Sequence, residues 1–264
     1  MDAVLLQRLA QITEEERELL QGRGVDRALY ASGRAFEVDA AKMLEKGKLM
    51  SIRPHTRFAP FPRHSHNYVE IMYMCRGKTV HRIDGDALVT LEAGELLFLN
   101  RHASHAIQRA DAGDIAVNFI VLPQFFDEAF NMAGMDNVLS RFLLGELYTG
   151  GAAVSYLHFR VREVLPVQNL VENMVWTLVN RQPGARRINQ VTMGLLLLQL
   201  MHYTECIDMS RNGSIRSPMV EAALREIEEN YRAASLTDVA AAFHVGLPYL
   251  SAEVKRATGS TFKE

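Results

Sequence analysis

The chain has 264 residues, 48% of them hydrophobic and 23% charged, with a formal net charge of -2. This composition excludes a disordered polymer and predicts one large domain or two ordinary ones, with a sizeable buried core. The near-neutral charge excludes a surface that holds nucleic acid by charge alone, while leaving room for a local basic patch.

Two cysteines, Cys75 and Cys206, lie far apart without CxxC spacing, so neither a disulfide framework nor a zinc ribbon is indicated. The start, MDAVLLQRLAQITEEEREL, lacks the basic head and apolar core of a secretory signal. The longest apolar run, VTMGLLLLQLM at 191–201, is too short to cross a bilayer, and the expected location is cytoplasmic, with no membrane partner.

In chain order, residues 2 to 22 predict one amphipathic helix with Leu5, Leu9, Ile12 and Leu19 near one face, ended by Gly22 and Gly24. Residues 25–48 give no clear pattern and are grouped with it as an N-terminal helical segment, 1–48. From Leu49 the apolar period changes from 3.6 to 2, with turn signals at Pro60, Pro62, Gly77, Asp84-Gly85 and Gly94. Closely spaced short strands up to Pro123 predict a small antiparallel barrel or jelly roll over 49–123, with Asp84-Gly85 at a hairpin tip. Residues 124–208 read as helical. The stripe in 186–206 runs nearly all round, which places that helix deep in the fold or in an interface and predicts two-fold pairing into a homodimer. The polar stretch 209–216 reads as a linker, and three short helices are expected over 217–264.

Within 62-PRHSHNYVEIMYMCRGK-78, strand alternation puts His64, His66 and Glu70 on one face, with Tyr68, Met72 and Met74 sharing that parity. His105 comes from a later strand. His64, His66, Glu70 and His105 could together hold Zn²⁺, Fe²⁺, Mn²⁺ or Ni²⁺ with positions left open. Alternatively they are hydrogen-bonding walls of a small-molecule pocket that also draws on Tyr68 and His81 and requires no cofactor; this second reading is preferred. His102 reads as a loop residue.

These residues resemble the cupin superfamily. Its first motif is matched from His64 through Gly77, and its second at Gly94 and His105, with Asn100, His102 and Arg109 in place of the usual Pro, Gly and Asn. The C-terminal stretch 235-SLTDVAAAFHVGLPYLSAEVKRATG-259 carries a helix-turn-helix pattern. Ser235 and Asp238 have capping-box character, Leu236, Val239 and Phe243 form one face, and Leu250 and Val254 form the face of the next helix. This ending is similar to the first helix-turn-helix unit of the AraC/XylS regulators. That resemblance implies an α+β protein: a cupin-like effector-sensing barrel, a helical dimerisation region, and a partial all-α helix-turn-helix domain, the chain stopping after the first of the two units usual in the family. It implies a ligand-responsive, non-enzymatic transcription regulator whose partners are DNA and a small molecule, with a sugar or other hydroxylated metabolite as the effector by analogy. Pro248 and Ala252 stand where larger readers are common, which leaves Tyr249, Ser251, Lys255 and Arg256 to face DNA weakly. The alternative function is a metal-dependent cupin enzyme of the dioxygenase or isomerase type.

Overall fold

The computed structural model describes residues 1–33, 35–85, 87–135, 137–145, 147–149, 152–209, 218–230, 234–243, 245–258 and 260–262. The chain divides into two compact units, Met1–Arg211 and Asn212–Glu264.

The N-terminal unit begins with two helices, α1 (Ala3–Leu9) and α2 (Glu14–Leu20), where the apolar spacing predicts one. The break has a local cause. Thr13 caps α2 in a complete capping box with Glu16, each side chain bonding the other residue's backbone N–H, so the helix restarts there and Ile12 is left exposed. The stretch 25–48 supplies a two-residue strand β1 (Glu37–Val38) and one helical turn α3 (Ala40–Met43).

The strands that follow are β2 (Met50–Pro54), β3 (Phe61–His66), β4 (Val69–Arg76), β5 (Lys78–Ile83), β6 (Ala87–Glu92), β7 (Leu96–Leu99), β8 (Ser104–Ile107) and β9 (Ile115–Val121). After them come α4 (Asp127–Ala133), α5 (Val138–Leu144), the short strands β10 (Tyr148–Thr149) and β11 (Ala152–Ala153), β12 (Tyr156–Phe159), α6 (Leu165–Val179), α7 (Ala185–Met201) and β13 (Ile207–Met209). Two mostly antiparallel sheets result, ordered β1-β3-β8-β5-β6 and β13-β12-β7-β4-β9-β2, which is the cupin-like α+β arrangement expected. The larger sheet takes β12 and β13 from beyond residue 123, inside the stretch read as helical. Tyr156, Leu157, His158 and Phe159 are all buried, so β12 lacks the alternation that identifies a one-sided strand.

Strand β4 sorts its side chains by parity. Met72 and Met74 join Leu97, Leu99, Ile83 and Leu91 in one apolar cluster, while Val69, Ile71 and Tyr73 face the other way into the cluster built with the helices. That second cluster includes Val171 and Val175 of α6 and Met193, Leu196, Leu197 and Leu200 of α7. Helix α7 is therefore deep in its own subunit on one side, with Val191 and Leu195 exposed on the other.

Asp84 and Gly85 both take positive φ at the β5–β6 tip, as the hairpin reading requires. Gly94, just before β7, has φ +84, and a Cβ there would stand 2.8 Å from Arg162 Cβ and 2.9 Å from its Cα. Gly94→Ala is expected to cost about 2–4 kcal/mol, combining a left-handed alanine with a backbone clash. A urea midpoint equal to the parent's would contradict this.

The C-terminal unit is three helices, α8 (Pro218–Asn230), α9 (Leu236–Ala242) and α10 (Leu247–Thr258). Ser235 accepts from Asp238 N–H at the start of α9. Val220, Ala223, Leu236, Val239, Ala240, Leu250 and Val254 form its core. Phe243 is not part of that face: it caps α9 and is exposed. The expected linker at 209–216 and the turn residue His244 fall almost wholly outside the described residues.

Candidate ligand-binding site

Five histidines and a carboxylate meet within the N-terminal unit. Strand β3 ends on His64 and His66, β4 carries Glu70, β5 carries His81, β8 carries His105, and His55 follows β2; all six are buried. Register explains part of the meeting, because His64 pairs with His105 across β3–β8 and Ile83 with His105 across β5–β8, whereas Glu70 comes from β4 and His55 from just after β2, both strands of the other sheet. The rings of His64 and His105 are 4.2 Å apart, and His81 lies 6.0 Å from His105 and 5.8 Å from His55.

Hydrogen bonding fixes which atoms are left over. His66 Nδ1 lies 2.9 Å from the Tyr68 carbonyl and must donate to it, so Nε2 carries the lone pair. That atom is 3.8 Å from Glu70 Oε2, and His105 Nε2 is 3.4 Å from the same oxygen. All three atoms are buried without a hydrogen-bond partner. The other carboxylate oxygen, Glu70 Oε1, accepts from Asn118 Nδ2 at 2.9 Å, and Asn118 Oδ1 accepts from His55 Nδ1 at 3.2 Å. The lone-pair nitrogen of His66, Nε2 of His105 and one Glu70 carboxyl oxygen thus converge without a hydrogen-bond partner at normal distance.

Burial dominates the electrostatics. It pushes Glu70 up to about 7, against smaller opposing effects of the Asn118 amide and Arg53. It pulls His64 and His66 down to about 4, and His81 and His105 well below the ordinary imidazole range. Neutral imidazoles are the form that accepts hydrogen bonds or ligates a metal.

Of the expected metal set, the ligand atoms of His66, Glu70 and His105 lie within 4.8 Å of one another. His64 is outside that group, its Nδ1 bonded to the Pro62 carbonyl at 2.9 Å. Of the expected pocket residues, His64, Tyr68 and Glu70 line an opening with about 40 Å³ of free space, whereas the buried His66, His81 and His105 do not line it. His81 is fully buried, with Nε2 2.8 Å from Thr79 Oγ1. The same opening is lined by Tyr30, Arg53, His55 and Asn118, none of which the sequence reading selected. Asn118 did leave a signal: it is the one polar residue in the strand IAVNFIV. Arg53 packs over the Tyr30 ring at 5.0 Å and pairs with Glu15 at 3.2 Å.

Residues 51–130, which contain this whole cluster, match the AraC-like ligand binding domain family. They form an AraC-like ligand-binding domain. Among solved structures, an apo variant of ToxT from Vibrio cholerae is 12% identical, with 83% of this chain and 79% of that chain covered at a TM-score of 0.46. The AraC-like transcriptional activator CuxR is 12% identical over 74% of this chain and 62% of that one, at a TM-score of 0.31. A cupin protein from Bacteroides fragilis is 28% identical over 28% of this chain and 64% of that one, at 0.24. No curated protein matches the chain.

Outside the AraC-like domain, the residues expected to face DNA lie on α10. Tyr249 is 54% exposed, Lys255 is exposed and Ser251 is half-buried; the Arg256 side chain is outside the described residues. No helix among the described residues is long and apolar enough to cross a membrane.

Proposed function

We propose that the chain is a ligand-responsive transcription regulator in which the AraC-like domain binds a small polar effector and the C-terminal helices contact DNA. The observation that carries this reading is the convergence of the unpartnered atoms of His66, Glu70 and His105 beside an opening lined by His64, Tyr68 and Asn118. A guest with O–H groups can both donate to the His66 nitrogen and accept from a neighbouring N–H or O–H, which favours a hydroxylated metabolite such as a sugar. The free space of about 40 Å³ holds roughly three waters, so such a guest enters only if the rim around Tyr30, Arg53 and Phe61 opens. Binding would then favour the open arrangement over the closed one, and that difference is what a regulator can transmit.

The same trio supports a second reading, a metal-dependent cupin enzyme. His66, Glu70 and His105 would hold a divalent ion, which would act as a Lewis acid toward its substrate. The Tyr68 carbonyl would keep the His66 ring in the ligating tautomer.

The four apolar side chains Leu165, Trp176, Val191 and Leu195 stay exposed on α6 and α7, and we take this surface to pair two subunits. Sedimentation showing only a 29.7 kDa species at micromolar concentration contradicts that pairing.

Residues 217–264 carry five basic side chains and seven acidic ones. Each phosphate contact contributes about 0.9 to the slope of log K against log salt, so few contacts mean both low affinity and shallow salt dependence. In an anisotropy titration at about 150 mM salt the chain is expected to bind duplex DNA more weakly than nanomolar, and Lys255→Ala to flatten the salt slope by about 0.9. Nanomolar binding, or an unchanged slope in the variant, contradicts this account of the DNA-facing side.

A further inference from the structure

We propose a second ligand site, separate from the AraC-like pocket: an open groove of about 650 Å³ that takes an organic acid with an apolar body. The groove lies between the α3–β2 connection and start of β2 on one side, and the end of α6 and first turns of α7 on the other. Its volume falls in the range of small-molecule sites, and it is far roomier than the opening beside Glu70.

Charge identifies the ligand class. Lys46, Lys48, Arg181 and Arg186 line the groove against one carboxylate, Glu45, which lies 3.8 Å from Arg181. This concentration of cations belongs to a chain whose net charge is -2. Helix α7 adds to it. Its first turn points its positive end at this place, and its N-cap is Gly184, which offers no side-chain acceptor to the leading N–H groups.

A separate observation lies at the base. Asn189, one turn into α7, is 1% exposed and lines the groove, and its Oδ1 has no hydrogen-bond partner among the described residues. A buried amide oxygen left unpaired is costly, and a carboxylate cannot donate to it; with the amide turned about its last side-chain torsion an N–H takes that place and can donate to the carboxylate. Met50, Ile52, Phe125 and Leu178 give the apolar body a surface to cover. A simple inorganic anion would satisfy the cations and leave that surface wet, so the acid needs a hydrophobic portion.

The test is calorimetric titration of the full chain with 4-phenylbutyrate, its uncharged analogue 4-phenylbutanol, and inorganic phosphate, with hydrogen exchange to locate the bound acid. The expected result is saturable binding of the acid, with the alcohol and phosphate each at least about tenfold weaker. Arg181→Gln combined with Arg186→Gln, both exposed positions, is expected to weaken the acid about tenfold without lowering the melting temperature. Amides in 44–52 and 181–189 should gain protection. No binding, equal binding of acid and alcohol, equal binding of phosphate, an unaffected double variant, or protection confined to 64–70 and 104–107 would each overturn the proposal.

Discussion

Glu70→Gln is expected to make the protein more stable than the parent by about 3 kcal/mol at about pH 8, with the gap closing as pH falls toward the ordinary carboxylate range. The cause is the burial that pushes the Glu70 carboxyl from 4.5 up to about 7. The folded protein holds this proton up to about pH 7, whereas the unfolded chain releases it near 4.5. Between those values the folded state binds more protons, so the parent loses stability as pH rises; above about 7 the loss is complete. Glutamine does not titrate. Its oxygen can keep the Asn118 bond, and its N–H₂ can donate toward the unpartnered nitrogens of His66 and His105. A stabilising substitution at the centre of a pocket is the usual mark of a group retained for binding rather than for folding. Urea midpoints of both proteins across pH 5 to 8 check it, and a gap that does not change with pH would contradict it.

Arg57→Ala is expected to destabilise the N-terminal unit by about 3–5 kcal/mol, because it leaves a buried carboxylate without its partner. Arg57 and Glu16 are 3% and 1% exposed, joined by Nε to Oε1 at 2.6 Å and Nη2 to Oε2 at 2.8 Å. The same guanidinium donates to the carbonyls of Ala10, Gln11 and Ala112, so it also satisfies backbone left open where α1 ends. Burial by itself would raise Glu16, but the hydrogen bonds from Arg57 and the Thr13 backbone outweigh it and hold the carboxyl below its ordinary value. A depressed carboxylate stabilises fully above its unfolded value of 4.5, and that contribution is lost as pH falls through the lower folded value. A double replacement, Glu16→Met with Arg57→Met, is expected to be far milder than Arg57→Ala and to lose this part of the acid sensitivity. Equal destabilisation by the single and double variants would argue against the pair as the cause.

Period-2 alternation holds within β3 for His64 and His66 and within β4 for Glu70, Met72 and Met74, but the strand breaks at Asn67–Tyr68 and β3 and β4 lie in different sheets, so the approach of the histidines to Glu70 depends on the packing of the sheets and not on parity along one strand. Asp84-Gly85 was readable, since few residue pairs accept positive φ together. The strands β12 and β13 were not, because YLHF is buried on both faces and IDM is only three residues long, so neither carries a period. The Thr13 to Glu16 capping box was written in the sequence and was overridden by an apolar spacing that runs on through Ile12. His55, Arg53 and Tyr30 join the pocket only through tertiary packing, from segments with no motif around them. That His64 stands outside the trio is a matter of where its ring sits relative to the other three ligand atoms, a detail that spacing does not encode.

The proposed regulator receives its guest in the polar interior of the AraC-like domain, through His66, Glu70 and His105. Thermal denaturation of the parent and of Glu70→Gln, each with a panel of hydroxylated metabolites and separately with Zn²⁺, Mn²⁺, Fe²⁺ or Ni²⁺, tests it most directly. At least one metabolite is expected to raise the parent's midpoint and to leave that of Glu70→Gln unmoved. A metal as the sole stabilising guest, lost in the same variant, would move the reading to the enzyme. Compounds that stabilise both proteins equally, or a panel that leaves the parent unmoved, would contradict the claim.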